Sequence, residues 1–522
     1  MKKIKLLAAI LALAMTFTAC GAGGSDPSHT EIDSTAYENA AQIVLSDSSI
    51  TIDGEPAAND PECAVYVAND IVYYESGKDF TYGEGSESDA HSAEDAAAHT
   101  VVHITQPGAY RISGTLTRGQ IAVDLGEGAK DDPNAVVTLI FSGADITCEV
   151  APAVIFYRVY ECGNDDADSA GKDVDTSAAG ANVIIADGTV NNVTGSYVAR
   201  IYEPGSVVLS EDGTEVEDAD KLHKYDGAFY SRMSMNISGG TENTGILNII
   251  SDNEGLDSEL HLSINGGNIN IFSGNDGINT NEDGVSVTTI NGGTLTIQVT
   301  GETGEGDGID SNGWLVINGG TVIAYACSTS ADAGIDSDMG IHINGGTVIA
   351  TGHMLDHIEE GGQNYAVFSF AQEQRGTDEI SLKTEGGESL LTLCPQNDYS
   401  ILIYSSSDLS EGTYTLWSNG AQLKGQSGDM MGGFGMPGDA APGEPPQGQQ
   451  PPDGVEHPDG QQPPADDERP DGGEPPERPD GENGGGQFPG GFGPNTNFGS
   501  QTYSAEFEIR DGANMFIGIA LN

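Results

Sequence analysis

Ile237-Ser238-Gly239-Gly240, Ile264-Asn265-Gly266-Gly267, Ile290-Asn291-Gly292-Gly293, Ile317-Asn318-Gly319-Gly320 and Ile343-Asn344-Gly345-Gly346 are five copies of one motif, at steps of 27, 26, 27 and 26 residues. A fixed period of this length marks a repeat architecture, in which each unit buries its apolar face against the next. Two residues before the Ile stand Leu262, Leu315 and Ile341, so apolar and polar positions alternate as in a strand with one buried face. Successive Ile side chains then stack inward, about 4.8 Å apart. The Gly-Gly pair turns the backbone where a side chain would clash, and Thr294-Leu295-Thr296-Ile297 or Thr347-Val348-Ile349-Ala350 opens the next short strand. This spacing predicts an all-β chain built as a parallel β-helix, a solenoid. Leucine-rich repeats and β-propellers lack support because their Leu/Asn, Trp-Asp and Gly-His signatures are missing.

Outward from that block, the chain divides by composition. Residues 1–20 read as a lipoprotein signal peptide: Lys2, Lys3 and Lys5, an apolar run from Leu6 to Met15, then Phe17-Thr18-Ala19-Cys20. Cleavage would leave Cys20 to carry lipid, anchoring the protein outside the bacterial cell membrane. The only membrane contact expected is that anchor, since the run is too short to span a bilayer. Residues 21–42 suit a flexible tether, and 43–362 the β-helix domain. Residues 363–425 and 501–522 read as a small C-terminal β capping unit. The segment 426–500, with Pro-Asp-Gly at 452–454, 458–460, 470–472 and 479–481, reads as a disordered acidic insert.

Charge narrows the function. The 522 residues carry 81 Asp and Glu against 19 Lys and Arg, a formal net charge of −62. Phosphate binding needs clustered cations, so no nucleic-acid partner is expected. A second motif returns between the Gly-Gly pairs, as Gly255-Leu256-Asp257-Ser258, Gly277-Ile278-Asn279-Thr280, Gly308-Ile309-Asp310-Ser311 and Gly334-Ile335-Asp336-Ser337. Carboxylates stacked about 4.8 Å apart repel by roughly 3 to 4 kcal/mol at an effective dielectric of 20. From Tyr225 to Ala350 there are 16 acids and one cation, Arg232. Either calcium neutralises the column, with Asp257, Asp276, Asn279, Asp307, Asp310, Asp332, Asp336 and Asp338 as oxygen ligands, or the acids bond turn amides as a structural ladder.

Catalytic signals are weaker. A lyase needs a Lys or Arg base, and between Lys224 and Lys383 only Arg232 and Arg375 occur. Asp307 with Asp310 would suit a glycosidase pair only if their separation allowed it. His353 and His357 lack the Glu of a zinc hydrolase motif. For ligand binding, alignment of the repeats puts His261, Trp314 and Gly340 at one outward position and Ser263, Val316 and His342 at another. Trp314, His261 and His342 are therefore the candidate sugar-binding residues, an aromatic face with polar neighbours.

The run Gly108-Ala109-Tyr110-Arg111-Ile112-Ser113-Gly114-Thr115-Leu116 with Gly119-Gln120-Ile121, together with Ala186-Asp187-Gly188-Thr189, Asp226-Gly227-Ala228, both repeated motifs and Tyr404-Ser405-Ser406-Ser407-Asp408, resembles a family of secreted bacterial carbohydrate-binding proteins. The resemblance covers roughly residues 43 to 425 and the last strand. It implies a right-handed parallel β-helix related in fold to pectate lyases, calcium between coils, and cellulose or acidic pectin-like polysaccharide as partner. Asp257, Asp310 and Asp336 fall at the family's repeating acidic positions; Asn279 departs from them. The expectation is a non-catalytic, calcium-dependent polysaccharide-binding protein, with a pectinase-like hydrolase or lyase and a structural adhesin as alternatives.

Overall fold

The computed structural model describes residues 37–163, 165–428 and 503–522. The signal peptide with Cys20, residues 21–36 of the tether and nearly all of the acidic insert lie outside the described residues, and the last two tether residues belong to the strand Ala41–Leu45. The described chain is all-β, with one short α-helix, Ala93–Ala97, whose Ser92 cap accepts the Asp95 amide. Most strands belong to a 25-stranded and an eight-stranded sheet, and most pairings within the repeats are parallel.

The five motif copies lie on Met235–Gly239, Leu262–Ile264, Val287–Ile290, Trp314–Ile317 and Ile341–Ile343, each paired in parallel with the next. Ile237, Ile264, Ile290, Ile317 and Ile343 are directly opposite one another and fully buried, the inward column read from the period. Each such side chain contributes about 2 kcal/mol of transfer free energy. The ladder begins before the motif does: Ala41–Leu45, Gly108–Leu116, Val137–Thr147 and Ala181–Ile185 precede it in the same parallel sense.

The second glycine of the pair is what the turn requires. Gly293 has φ +84°, and a Cβ there would stand 2.5 Å from the Gly267 carbonyl oxygen. Behind it a second parallel ladder forms from Val190–Gly195, Ile246–Ser251, Asn268–Ser273, Thr294–Val299, Thr321–Tyr325 and Thr347–Gly352. The third ladder, in the eight-stranded sheet, takes Gly119–Asp124, Val154–Arg158, Gly227–Ser231, Glu254–Ser258, Ile278–Thr280 and Ile309–Ser311.

Direction changes at three ladder ends. Thr51–Ile52 lies antiparallel on Ala41–Leu45, Val65–Ala68 on Thr100–Ile104, and Tyr399–Ser405 on Thr347–Gly352. Tyr365–Gln374 then pairs with Tyr399–Ser405, and Ala513–Leu521 with Tyr365–Gln374. The alternation at 503–509 marks only part of this return: Phe507–Ile509 is short, and Ala513–Leu521 is the long final strand. Phe368, Phe507 and Phe516 build a separate apolar cluster with Ile323, Tyr325 and Ile349. The unit therefore covers the outer side of the second ladder as well as extending it past its last repeat. The five described cysteines are free thiols.

Candidate functional site

On the third ladder the Gly-Ile-Asp-Ser motif sorts its side chains by alternation. Leu256, Ile278, Ile309 and Ile335 point into the core, and Ser258, Thr280, Ser311 and Ser337 are buried with them. Thr280 and Ser311 share a hydroxyl hydrogen bond of 2.8 Å. The residues between face the other side, where Tyr230, Asp257, Asn279 and Asp310 are directly opposite one another. Asp336 continues the column, its amide donating to the Ile309 carbonyl at 2.7 Å. The first repeat, which has no acid at this position, supplies Tyr230, whose hydroxyl bonds Glu259.

One part of the column has oxygens without donors. Glu254 Oε2, Asp257 Oδ2 and Asn279 Oδ1 are each buried with no hydrogen-bond partner. Their companion atoms are held: Asn279 Nδ2 donates to Glu254 Oε1 at 3.2 Å, and Asn281 Nδ2 to Asp257 Oδ1 at 2.8 Å. Burial raises the Asp257 carboxyl far above the usual range, and the charges of Asp226 and Glu259 raise it further. Burial, then Asp257 and Asp226, do the same to Glu254. Orphaned, desolvated carboxylate and amide oxygens are the hard donor set that calcium takes, so these residues fit such an ion. Among the described residues no group of three or more His, Cys, Asp and Glu is arranged to hold a metal; the three orphan oxygens come from two carboxylates and an amide.

Cations also stand at the rim. Lys224 Nζ lies 3.3 Å from Asp226 Oδ2, with its side chain 46% exposed, and Lys221 Nζ lies 3.7 Å from Glu259 Oε2. The Asp226 charge holds the Lys224 ammonium above its ordinary pKa. Charge counting from Tyr225 onward misses both lysines because they lie on Lys221–Tyr225, just before the window. Glu254 and Asp226 were also missed. Their signal was the acid that precedes glycine in Asp226-Gly227, Glu254-Gly255, Asp276-Gly277 and Asp307-Gly308.

Elsewhere the predicted ligands divide. Asp276 Oδ1 accepts the Asp307 amide at 2.7 Å, Asp307 Oδ1 the Ala333 amide at 2.5 Å, and Asp332 Oδ2 the Gly306 amide at 2.6 Å. Asp276 and Asp307 thus each hold the turn of the following repeat, and Asp332 that of the preceding one, the structural alternative to a metal. Asp310 and Asp336 form a further group with Asp338 and with Asp356, which sequence reading passed over. Burial and then Asp338 push Asp310 up to about 6; burial and then Asp356 push Asp336 up to about 7.

The ligand row is corrected in part. His261, expected to face outward, is 1% exposed. Its Nδ1 accepts the Val287 amide at 3.1 Å, and Gly163 packs so close that a Cβ would stand 2.4 Å from the ring. A segment nearly a hundred residues upstream covers it, which no local pattern announces. Trp314, opposite Val287, remains partly exposed, as does His342, opposite Val316. Beside them runs a groove of about 620 Å³, bounded by residues 172–177 and by Asn265, Asn291, Asn318 and Asn344. Another cavity, of about 780 Å³, has Tyr73, Tyr82 and Tyr202 in its walls. His353 and His357 do not converge: His353 Nδ1 meets Ser400 Oγ at 3.0 Å, and His357 lies near Glu359.

A family model described as carbohydrate-binding domain-containing protein matches residues 98–163 and 170–392, more than half of the chain. No curated protein matches it. Among solved structures, the polysaccharide lyase-like protein from C. thermocellum, in its gadolinium derivative, is similar at 20% identity over 59% of this chain and 90% of that one, with a TM-score of 0.33. The matched residues take in the whole acidic column and the asparagine groove, and the chain belongs to the carbohydrate-binding domain-containing protein family.

Proposed function

We propose that the three ladders wind into a right-handed parallel β-helix and that the protein is a non-catalytic, calcium-dependent binder of polysaccharide, cellulose or an acidic pectin-like glycan. Lipid on Cys20 would hold it at the outer face of the bacterial membrane. Family membership supports the glycan, and the three orphaned oxygens of Glu254, Asp257 and Asn279 carry the metal. Those residues would hold calcium, which supplies positive charge and open coordination positions for hydroxyl and carboxylate oxygens. An anionic chain meets an anionic protein more favourably where such charge intervenes. Affinity electrophoresis on polygalacturonate, xylan and cellulose, with calcium or with EGTA, tests this. Calcium-dependent retardation on polygalacturonate is expected; retardation equal in EGTA rejects the bridging mechanism.

Lys224 favours a second reading, a glycan-cleaving enzyme, because it sets a cationic side chain at the rim of the acids where a proton-abstracting base would act. The Asp226 charge keeps that ammonium protonated, the wrong direction for a base, so this reading ranks second. Unsaturated products from polygalacturonate, lost in Lys224→Ala, would raise it above the first.

A further inference from the structure

The asparagines of the Ile-Asn-Gly-Gly motif form a row that the acidic column does not use. Asn291 Nδ2 donates to Asn265 Oδ1 at 2.8 Å, Asn318 Nδ2 to Asn291 Oδ1 at 2.9 Å, and Asn344 Nδ2 to Asn318 Oδ1 at 2.8 Å. A side-chain amide has two N–H donors and two lone pairs, and the row takes one of each from an interior member. Asn318 and Asn344 are exposed, so their remaining capacity faces solvent.

The row is one wall of the groove of about 620 Å³. The opposite wall is the segment 172–177, fixed in place by Thr176, whose hydroxyl is 2.7 Å from both Asn236 Oδ1 and Ser263 Oγ. Thr289 and Val316 line the groove between these walls. Lys172 is paired with its neighbour Asp173 at 2.5 Å, so the charged wall residue brings its own counter-ion. Every residue that lines the groove falls within the family match at 170–392.

We propose that this groove binds a neutral, extended glycan chain running across the strands, one pyranose per repeat. Amides at about 4.8 Å intervals advance by close to the length of one sugar unit in an extended chain, so a regular polymer meets the same donor and acceptor at each step. Sugar hydroxyls both donate and accept, which matches the capacity that the exposed amides of Asn318 and Asn344 have left. An anionic chain gains nothing here, because the one cation is already paired. The proposal rests on the glycan-binding reading of the chain but needs no metal.

The test is affinity electrophoresis of the full chain in EGTA on hydroxyethyl cellulose, neutral xylan and galactomannan. Retardation on at least one gel is expected, with apparent affinity falling roughly tenfold in Asn318→Ala/Asn344→Ala, the equivalent of about two neutral hydrogen bonds. Ser177→Trp fills the groove from the exposed loop without touching the amide row, and abolishes retardation while leaving the unfolding midpoint unchanged. If the double variant is destabilised, Ser177→Trp decides alone. Absence of retardation on all three gels, or retardation that persists in Ser177→Trp, overturns the proposal. Calcium-dependent binding to polygalacturonate without binding to any neutral gel would reject the groove and leave the preceding reading standing; binding to no gel of either kind would reject both.

Discussion

Asn279 sits directly between Asp257 and Asp310, and it is the one amide where the motif elsewhere has an acid. Asn279→Asp would close the gap in the acidic column, setting a new carboxylate about 4.8 Å from each of Asp257 and Asp310. Burial already disfavours the charged form of Asp257, so in EGTA the new group meets one ionised neighbour, Asp310, at about 3.5 kcal/mol for an effective dielectric of 20. Protonation is a route of similar cost. Keeping one carboxyl protonated at pH 7, against an ordinary pKa of about 3.9, costs about 4 kcal/mol, and at pH 4.5 less than about 1 kcal/mol. By either route the variant in EGTA should lose about 4 kcal/mol at pH 7 and little at pH 4.5. Denaturant unfolding of the full chain at both values, followed by tryptophan fluorescence, measures this. Calcium should restore more stability to the variant than to the parent at pH 7. Equal losses at the two pH values would refute the electrostatic account, leaving the broken Asn279 to Glu254 hydrogen bond as the cause. No loss at pH 7 would show that the new carboxylate escapes to water.

The parent protein in EGTA should itself weaken as pH rises. Asp310 and Asp336 hold protons in the fold up to about 6 and about 7, whereas the unfolded chain releases them near 4, so the stability they contribute is fully present below about pH 4 and is lost between there and pH 7; a thermal midpoint that climbs over this range would contradict the assignment. Two glycines give a contrast in backbone strain. Gly293→Ala meets both a positive φ and a carbonyl at 2.5 Å and should cost more than about 2 kcal/mol, whereas Gly284→Ala, at φ +66° with open space, should cost about 1 kcal/mol. Equal unfolding midpoints for the two variants would remove the close-approach argument.

What was legible in the sequence followed the period. Ile237, Ile264, Ile290, Ile317 and Ile343 could be aligned because parallel pairing in register repeats one environment, and the same alignment placed Asp257, Asn279 and Asp310 together. Less legible was whatever reaches across the period. Thr176 bonds Ser263 from 87 residues away, and segment 161–163 buries His261; neither contact leaves a mark in spacing or composition. Lys221 and Lys224 belong to an irregular hairpin, Val198–Tyr202 with Lys221–Tyr225, outside any repeat. The division of the acids was hidden for another reason. Asp276 and Glu254 are acids at the same place, just before the motif's first glycine, yet Asp276 accepts the Asp307 backbone amide while one Glu254 oxygen is left without a donor.

The antiparallel strands at the ladder ends have a consequence for size. A parallel ladder can accept another strand of its own kind at either edge, and so could lengthen by joining a second molecule. Thr51–Ile52, Val65–Ala68 and Tyr399–Ser405 occupy three of those edges with chain running the opposite way. Growth at those edges is thereby blocked: a unit gained or lost between the terminators lengthens or shortens the molecule by one strand spacing and leaves all three terminators unaltered. The asparagine row would change in step, so on the proposed reading the number of repeats would act as a ruler for the ligand.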